Sequence, residues 1–202
     1  MSDHAVRLQL AGLLSREICR PWDVARAGLS IGEAAAFALV ERDCRAPQGW
    51  LLGVGESNDG YHMSTPHPDG AGAIAAMRGA LGDAGLQASD IDYINLHGTA
   101  TPSNDAAEDM AVASVFGTAT PCSSTKGATG HTLGAAGGVE AVISLLALAH
   151  GLLPAGLNLQ ERDPTLRVNY QIANRRAPLR RVMSNSFGFG GSNASLVFGS
   201  AP

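Results

Sequence analysis

The chain has 202 residues, 45% of them hydrophobic, enough to bury a substantial core as one large domain or two small ones. A net charge of -4, with no basic run longer than the pairs Arg175-Arg176 and Arg180-Arg181, argues against a nucleic-acid binder. Cys19, Cys44 and Cys122 are odd in number and lack CxxC spacing, which argues against a disulfide framework or a zinc site and fits a reducing, cytoplasmic setting.

Residues 1–14 contain Asp3, His4 and Arg7, and no long apolar run with a small-residue cleavage site follows them, so no signal peptide is expected. Segment 34–40 is apolar and is read equally as strand or helix. Residues 50–57 (WLLGVGES) predict a strand, and 61–68 (YHMSTPHP) a connecting loop. Residues 69–84 predict a helix from the spacing of Ile74, Met77 and Leu81, with Gly85 placed to stop it. A short strand at 92–96 ends at His97-Gly98, and a helix follows over 104–116, with Asp105 and Glu108 near its start favourable for its dipole. A strand at 119–125 precedes a long apolar helix at 132–150, and two final strands, 181–187 and 194–199, are joined by a glycine-rich turn. The stretch 133–153 is long enough to raise the question of a membrane. Glu140 within it and Gly134, Gly137 and Gly138 at its start favour a helix buried in protein, so no membrane association is expected. Alternating strand and helix is the pattern of an α/β layered fold.

Three segments place polar or glycine-rich clusters straight after a predicted strand, where α/β folds present ligand-binding groups: HGTATPSND, SSTKGATGH and SNSFGFGGSNAS. In the first, Thr99 and Thr101 alternate beyond His97, so two hydroxyls face the same side as the imidazole. In the second, Lys126 and His131 lie five apart across a turn loosened by Gly127 and Gly130. The lysine and the helix N–H dipoles beyond it favour a neutral imidazole that donates a hydrogen bond to developing negative charge. In the third, glycines around Phe189 let a backbone N–H approach a substrate oxygen. A strand-end histidine capping a loop, a helix N-terminus with a surface lysine, and a tight hairpin without function stand beside these readings.

Taken with CRPWDVARAGLSIGEAAAFALVE, ESNDGYHMSTPHPDGAGA, DIDYINLHGTATPSND and SSTKGATGHTLGAAGGVEA, these segments resemble the β-ketoacyl synthases of the thiolase superfamily, in that family's order and over nearly the whole chain. The resemblance implies a thiolase-like α/β fold, with residues 1–202 forming the C-terminal half of a five-layer α-β-α-β-α architecture. It implies that His97 and His131 promote decarboxylation of a malonyl thioester and stabilise the enolate, with Lys126 holding the site and Glu140 pairing with that lysine in the interior. Thr99 and Thr101 match hydroxyls that bind a phosphopantetheine arm. Phe189, flanked by Gly188 and Gly190, matches a gating phenylalanine whose N–H contributes to an oxyanion hole. Substrate would arrive on an acyl carrier protein, with no metal and no dissociable organic cofactor.

Family members run to about twice this length, with the nucleophilic cysteine in the first half. Cys122, four residues before Lys126, matches the strand preceding the Lys/His loop, and neither Cys19 nor Cys44 has the helix-N-terminal setting that lowers a thiol pKa. The expected function is thus the C-terminal part of a 3-oxoacyl-(acyl carrier protein) synthase. It would be inactive in condensation alone, and partnered by an N-terminal ketosynthase half or by another subunit in a homo- or hetero-oligomer. A non-catalytic ketosynthase-like partner, of the chain-length type, is the alternative. A thiolase proper fits less well, because His131 stands where that branch normally carries a second cysteine. A metal hydrolase fits least, because His62 and His67 lack an accompanying carboxylate pair.

Overall fold

A computed structural model of the chain describes residues 12–42 and 44–201, so the reading of residues 1–11 as free of a leader lies outside the described residues. Strand β1 (Trp50–Asn58) shows why WLLGVGES carries two glycines: Gly53 and Gly55 are its buried positions. Helix α1 (Ala71–Asp83) lies directly on them, and a Cβ at Gly55 would sit 1.9 Å from the carbonyl oxygen of Ala76. The helix answers with its own small residues, since Ala73, Ala76 and Ala80 are buried beside Met77 and Leu81, while Ile74 is only half-buried. Gly85 stops α1 as expected, with φ 65° and the Leu86 N–H returning to the Leu81 carbonyl at 2.9 Å.

Next come β2 (Tyr93–Asn95), α2 (Pro102–Phe116), β3 (Pro121–Ser123), the single helical turn α3 (Lys126–Thr129) and α4 (Ala136–His150). Beyond them lie β4 (Leu152–Leu153), β5 (Asn169–Tyr170), β6 (Arg175–Arg176), β7 (Arg181–Phe187) and β8 (Ser192–Gly199). Six strands form one sheet in the order β1-β8-β7-β2-β3-β5, antiparallel from β1 to β7 and parallel from β7 to β5, while β4 and β6 form a separate antiparallel ribbon. Side chains alternate across the pleat. Ile94 and Met183 therefore point into the core under α1 and α2 with Met77 and Val112, whereas Tyr93 and Val182 meet Ala147, Leu148 and Leu153 on the α4 side.

Several boundaries differ from the sequence expectation for local reasons. Helix α2 begins two residues early, because Pro102 suits the first turn of a helix. The strand expected over 119–125 is confined to Pro121–Ser123, because Lys126 already opens a helical turn. The long helix starts at Ala136, after a 3-10 turn over Leu133–Ala135 in which Leu133 takes φ 56°. Segment 34–40 is neither strand nor helix, and Phe37 and Leu39 are 94% and 87% exposed.

The reading of the long helix as buried in protein holds within this chain for one face only. Leu133–His150 is long and apolar enough to cross a membrane, and only 28% of that window is buried. Glu140, Ser144, Ala147 and Leu148 face the sheet, while Val142 and Leu146 face outward.

The glycine contact between β1 and α1 is testable. Gly55→Val should lower stability by about 2–3 kcal/mol in urea unfolding, because its side chain has no space against the α1 backbone. Gly82→Ala, whose added Cβ meets nothing within 4 Å, should leave stability unchanged or raise it slightly.

Candidate active site

Strands β2, β3 and β7 are parallel neighbours, so their C-terminal ends open at one edge of the sheet. The three motif segments follow those ends, and topology alone brings them together around a cavity of about 480 Å³. His97, Thr99, Thr101, His131, Gly188 and Phe189 all line it.

The His97 loop is held by backbone bonds rather than by its ring. The N–H groups of His97 and Gly98 each donate to one oxygen of Glu108, both at 2.8 Å. Gly98 is required here, because a Cβ would meet the Ser124 Cβ at 2.3 Å. Ala100 then adopts the left-handed region at φ 63°, a strain of about 1–3 kcal/mol for a residue with a side chain. Its N–H donates to Asp105 at 3.2 Å, and its carbonyl accepts from the Gly28 N–H at 3.0 Å. That turn sets the Thr99 and Thr101 hydroxyls 2.9 Å apart.

Lys126 is 1% exposed, and its ammonium donates to the Glu140 carboxylate and to the carbonyl oxygen of His97. It also lies 3.4 Å from Nδ1 of His97. An ammonium has no acceptor, so that ring nitrogen presents its lone pair and the ring proton sits on Nε2. His131 reaches the same tautomer by another route, since its Nδ1 accepts the Leu133 N–H at 3.1 Å. The odd φ of Leu133 thus serves the imidazole before it. The His131 backbone is pinned to the segment before it, donating to the Ser30 carbonyl at 2.7 Å and accepting from Gly32 at 3.1 Å. The two rings meet edge to face, with centroids 5.3 Å apart.

Both imidazoles are held neutral. Burial and then the Lys126 charge push His131 down to about 4, and burial, Lys126 and His131 together hold His97 well below the usual range. Glu140 is raised by burial against the pull of Lys126. Glu108 is pushed up to about 7 by burial, opposed by the two N–H groups it accepts.

The glycine turn after β7 is docked on the 59–67 loop. Gly190 and Gly191 take φ 77°, the Gly190 N–H donates to the Met63 carbonyl at 2.8 Å, and the Asn193 amide donates to Asp59 at 2.8 Å. Phe189 stands half exposed at the mouth of the cavity, and Phe187 lies 6.0 Å from the His97 ring inside it. Among the described residues no cysteine lines the cavity. Cys122 is fully buried in β3 with its thiol pushed well above the usual range, and burial pushes Cys19 to about 11. His62 and His67 each accept a backbone N–H on Nδ1, and among the described residues no three His, Cys, Asp or Glu side chains are placed to hold a metal.

Sequence reasoning placed Asp105 and Glu108 near the start of the helix, where Asp105 does lie in the first turn, and the structure adds that both are buried acceptors that shape the loop before α2. The available signal was their position within eleven residues of His97, on the helix that follows its loop. Asp59 and Asn193 were given no role, and Phe187 was read only as part of the glycine-rich turn, not as a neighbour of the His97 ring.

Residues 49–160, more than half of the chain, match the family described as Beta-ketoacyl synthase, C-terminal domain, and the chain belongs to that family. Its thiolase-like α/β architecture is shared with a chain of the complex between the ketosynthase ApeO and its chain length factor ApeC from Xenorhabdus doucetiae. That comparison gives a TM-score of 0.86 and 42% identity over 96% of this chain and 49% of that one. A β-ketoacyl synthase from Burkholderia phymatum superposes with a TM-score of 0.87 at 34% identity, over 98% of this chain and 52% of that one. Among curated relatives, the mitochondrial 3-oxoacyl-[acyl-carrier-protein] synthase of Arabidopsis thaliana is 43% identical, over 92% of this chain and 43% of its own length. 3-oxoacyl-[acyl-carrier-protein] synthase 2 of Coxiella burnetii is 42% identical, over 88% and 45%. The chain spans a little under half the length of these curated relatives.

An NMR pH titration should find His131 neutral down to about 4, with neither imidazole taking up a proton near the usual 6.5. Protonation of either ring at or above that value would contradict the assignment.

Proposed function

We propose that this chain supplies the decarboxylating half of a 3-oxoacyl-(acyl carrier protein) synthase. The observation that carries the reading is the pair of neutral imidazoles on one cavity, His97 buried and His131 half-buried, each with Nδ1 occupied and its Nε2 proton available, backed by the Lys126–Glu140 ion pair.

In this reading the malonyl thioester enters with its carbonyl oxygen between the two Nε2–H donors. Breaking the bond to the carboxylate releases carbon dioxide and leaves its electron pair as an enolate. Preorganised donors stabilise that charge without having to transfer a proton. The nearby ammonium adds positive potential, and Glu140 keeps the buried lysine compensated. The enolate carbon then attacks an acyl thioester, forming the new carbon–carbon bond and expelling a thiolate. The Phe189 N–H is our candidate donor to the transient oxyanion, and the Thr99–Thr101 pair our candidate grip on the phosphopantetheine arm of an acyl carrier protein.

The acylated thiolate belongs elsewhere in this scheme, because none of the three cysteines faces the cavity and burial raises the two whose thiols shift. An N-terminal ketosynthase half is the proposed source. The outer face of α4 and segment 34–40 are the apolar surfaces that half would cover. Retention of both histidines and the lysine favours this reading over a non-catalytic partner.

Co-expression with an N-terminal half and malonyl-carrier decarboxylation provides the test. Replacing His97 or His131 with Ala should each cost about a hundredfold or more, the usual loss for one donor of an oxyanion hole. Decarboxylation unaffected by both changes would overturn the proposal, as would stoichiometric acyl-thioester formation on the chain alone.

A further inference from the structure

Arg26 lies in the loop before segment 34–40, outside the cavity lining, and is nearly buried between two carboxylates. Its Nη1 donates to Asp163 at 2.6 Å and to the carbonyl of Asp23 at 2.9 Å, and its Nε lies 3.6 Å from Oδ2 of Asp105. Asp105 is fully buried and gathers three backbone or side-chain donors, one of them, Trp22, distant in sequence. Its Oδ2 accepts the Trp22 N–H at 3.1 Å, while Oδ1 accepts the Ala100 N–H at 3.2 Å and the Asn104 amide at 3.2 Å. The same loop, through Gly28, donates to the Ala100 carbonyl at 3.0 Å. Both polar groups of Ala100 are therefore held from this side, and Ala100 is the left-handed residue between the two threonines.

We propose that Arg26 is a positioning residue for substrate-arm recognition: by keeping Asp105 a carboxylate, it holds the Ala100 turn and with it the Thr99–Thr101 hydroxyl pair. This rests on the reading that the pair binds a pantetheine arm. The ionised form matters because a carboxylate accepts on both oxygens, whereas a protonated Asp105 would turn an O–H toward donors that already face it. Arg26 faces Asp105 from one side, with Glu108 on the same helix and Cys19 and Tyr170 across the packing, so Arg26 is the nearby cation that, beside the Trp22 and Asn104 hydrogen bonds, offsets burial. Burial raises Asp105 to about 6, against the pull of its hydrogen bonds and Arg26. Grip on the arm is then present above that value and lost as pH falls through it. Removing Arg26 raises the Asp105 pKa further, so the same loss appears at higher pH.

Pantetheine itself is the probe, since it carries the arm without a titrating phosphate. Its affinity for the full chain is measured by calorimetry across the acid to neutral range in the native protein and in Arg26→Lys, Arg26→Met, Asp163→Asn and a Thr99→Ala/Thr101→Ala double variant. Arg26→Met should move the acid loss of affinity upward by about one pH unit or more, and Arg26→Lys should leave it near the native position. Asp163→Asn, which frees Arg26 for Asp105, should move it downward. A folded Arg26→Met with an unmoved profile overturns the inference. Should Arg26→Met not fold, an unchanged or upward profile in Asp163→Asn overturns it instead. Absence of pantetheine binding in the native chain, or binding indifferent to the double threonine change, sinks the underlying reading of the threonines.

Discussion

The site depends on one interaction, the buried contact of Lys126 with Glu140. An ammonium at 1% exposure is tolerable only because a carboxylate and a backbone carbonyl receive its protons. Removing either partner would leave an uncompensated interior charge, a loss of about 3–5 kcal/mol. The same ammonium lies against Nδ1 of His97, so one charge orders the tautomer of that ring and depresses the basicity of both histidines. A structural ion pair and an electrostatic device are here the same pair of residues. The pair also explains why so apolar a helix as α4 carries a carboxylate: Glu140 sits on its sheet-facing side, one turn before Ser144.

Around that pair the chain stacks layers of support. Glu108 fixes the peptide of His97, Asp105 fixes the peptide of Ala100, and the cross-links from Gly28, Ser30 and Gly32 tie both histidine loops to the segment that precedes β1. Few of these bonds involve the groups that face the cavity. The ring nitrogens and hydroxyls are placed by backbone constraints, and the constraints are placed by buried carboxylates. This division lets the cavity groups stay available while their geometry is fixed, the condition for preorganised stabilisation of a developing charge.

Much of this was legible in the sequence, for reasons that differ by residue. The strand endings before HGTAT, TKGATGH and FGFGG were visible as short apolar runs broken by glycine, and parallel neighbours must open at one edge. Convergence of the three segments followed from topology. Gly85 as a helix stop and the hairpin from β7 to β8 were visible for the same local reasons. On α1 periodicity found Met77 and Leu81, which are buried, but missed the alanines pressed on Gly53 and Gly55, because there the packing partner is a backbone. The acceptor roles of Asp105 and Glu108 were not legible, because a carboxylate near a helix start suits the dipole whether exposed or buried, and only the fold shows which. Segment 34–40 remained ambiguous because, apart from Ala36 against Gly138, its apolar side chains stand exposed, Phe37 and Leu39 most of all.

The account's central claim concerns two protons, and neutron diffraction at neutral pH observes them directly. It predicts deuterium on Nε2 of both His97 and His131, with Nδ1 bare toward Lys126 in the first ring and toward the Leu133 N–H in the second. A deuteron on Nδ1 of either ring, or on both nitrogens of one, would contradict the claim that buried charge and backbone prepare two neutral donors.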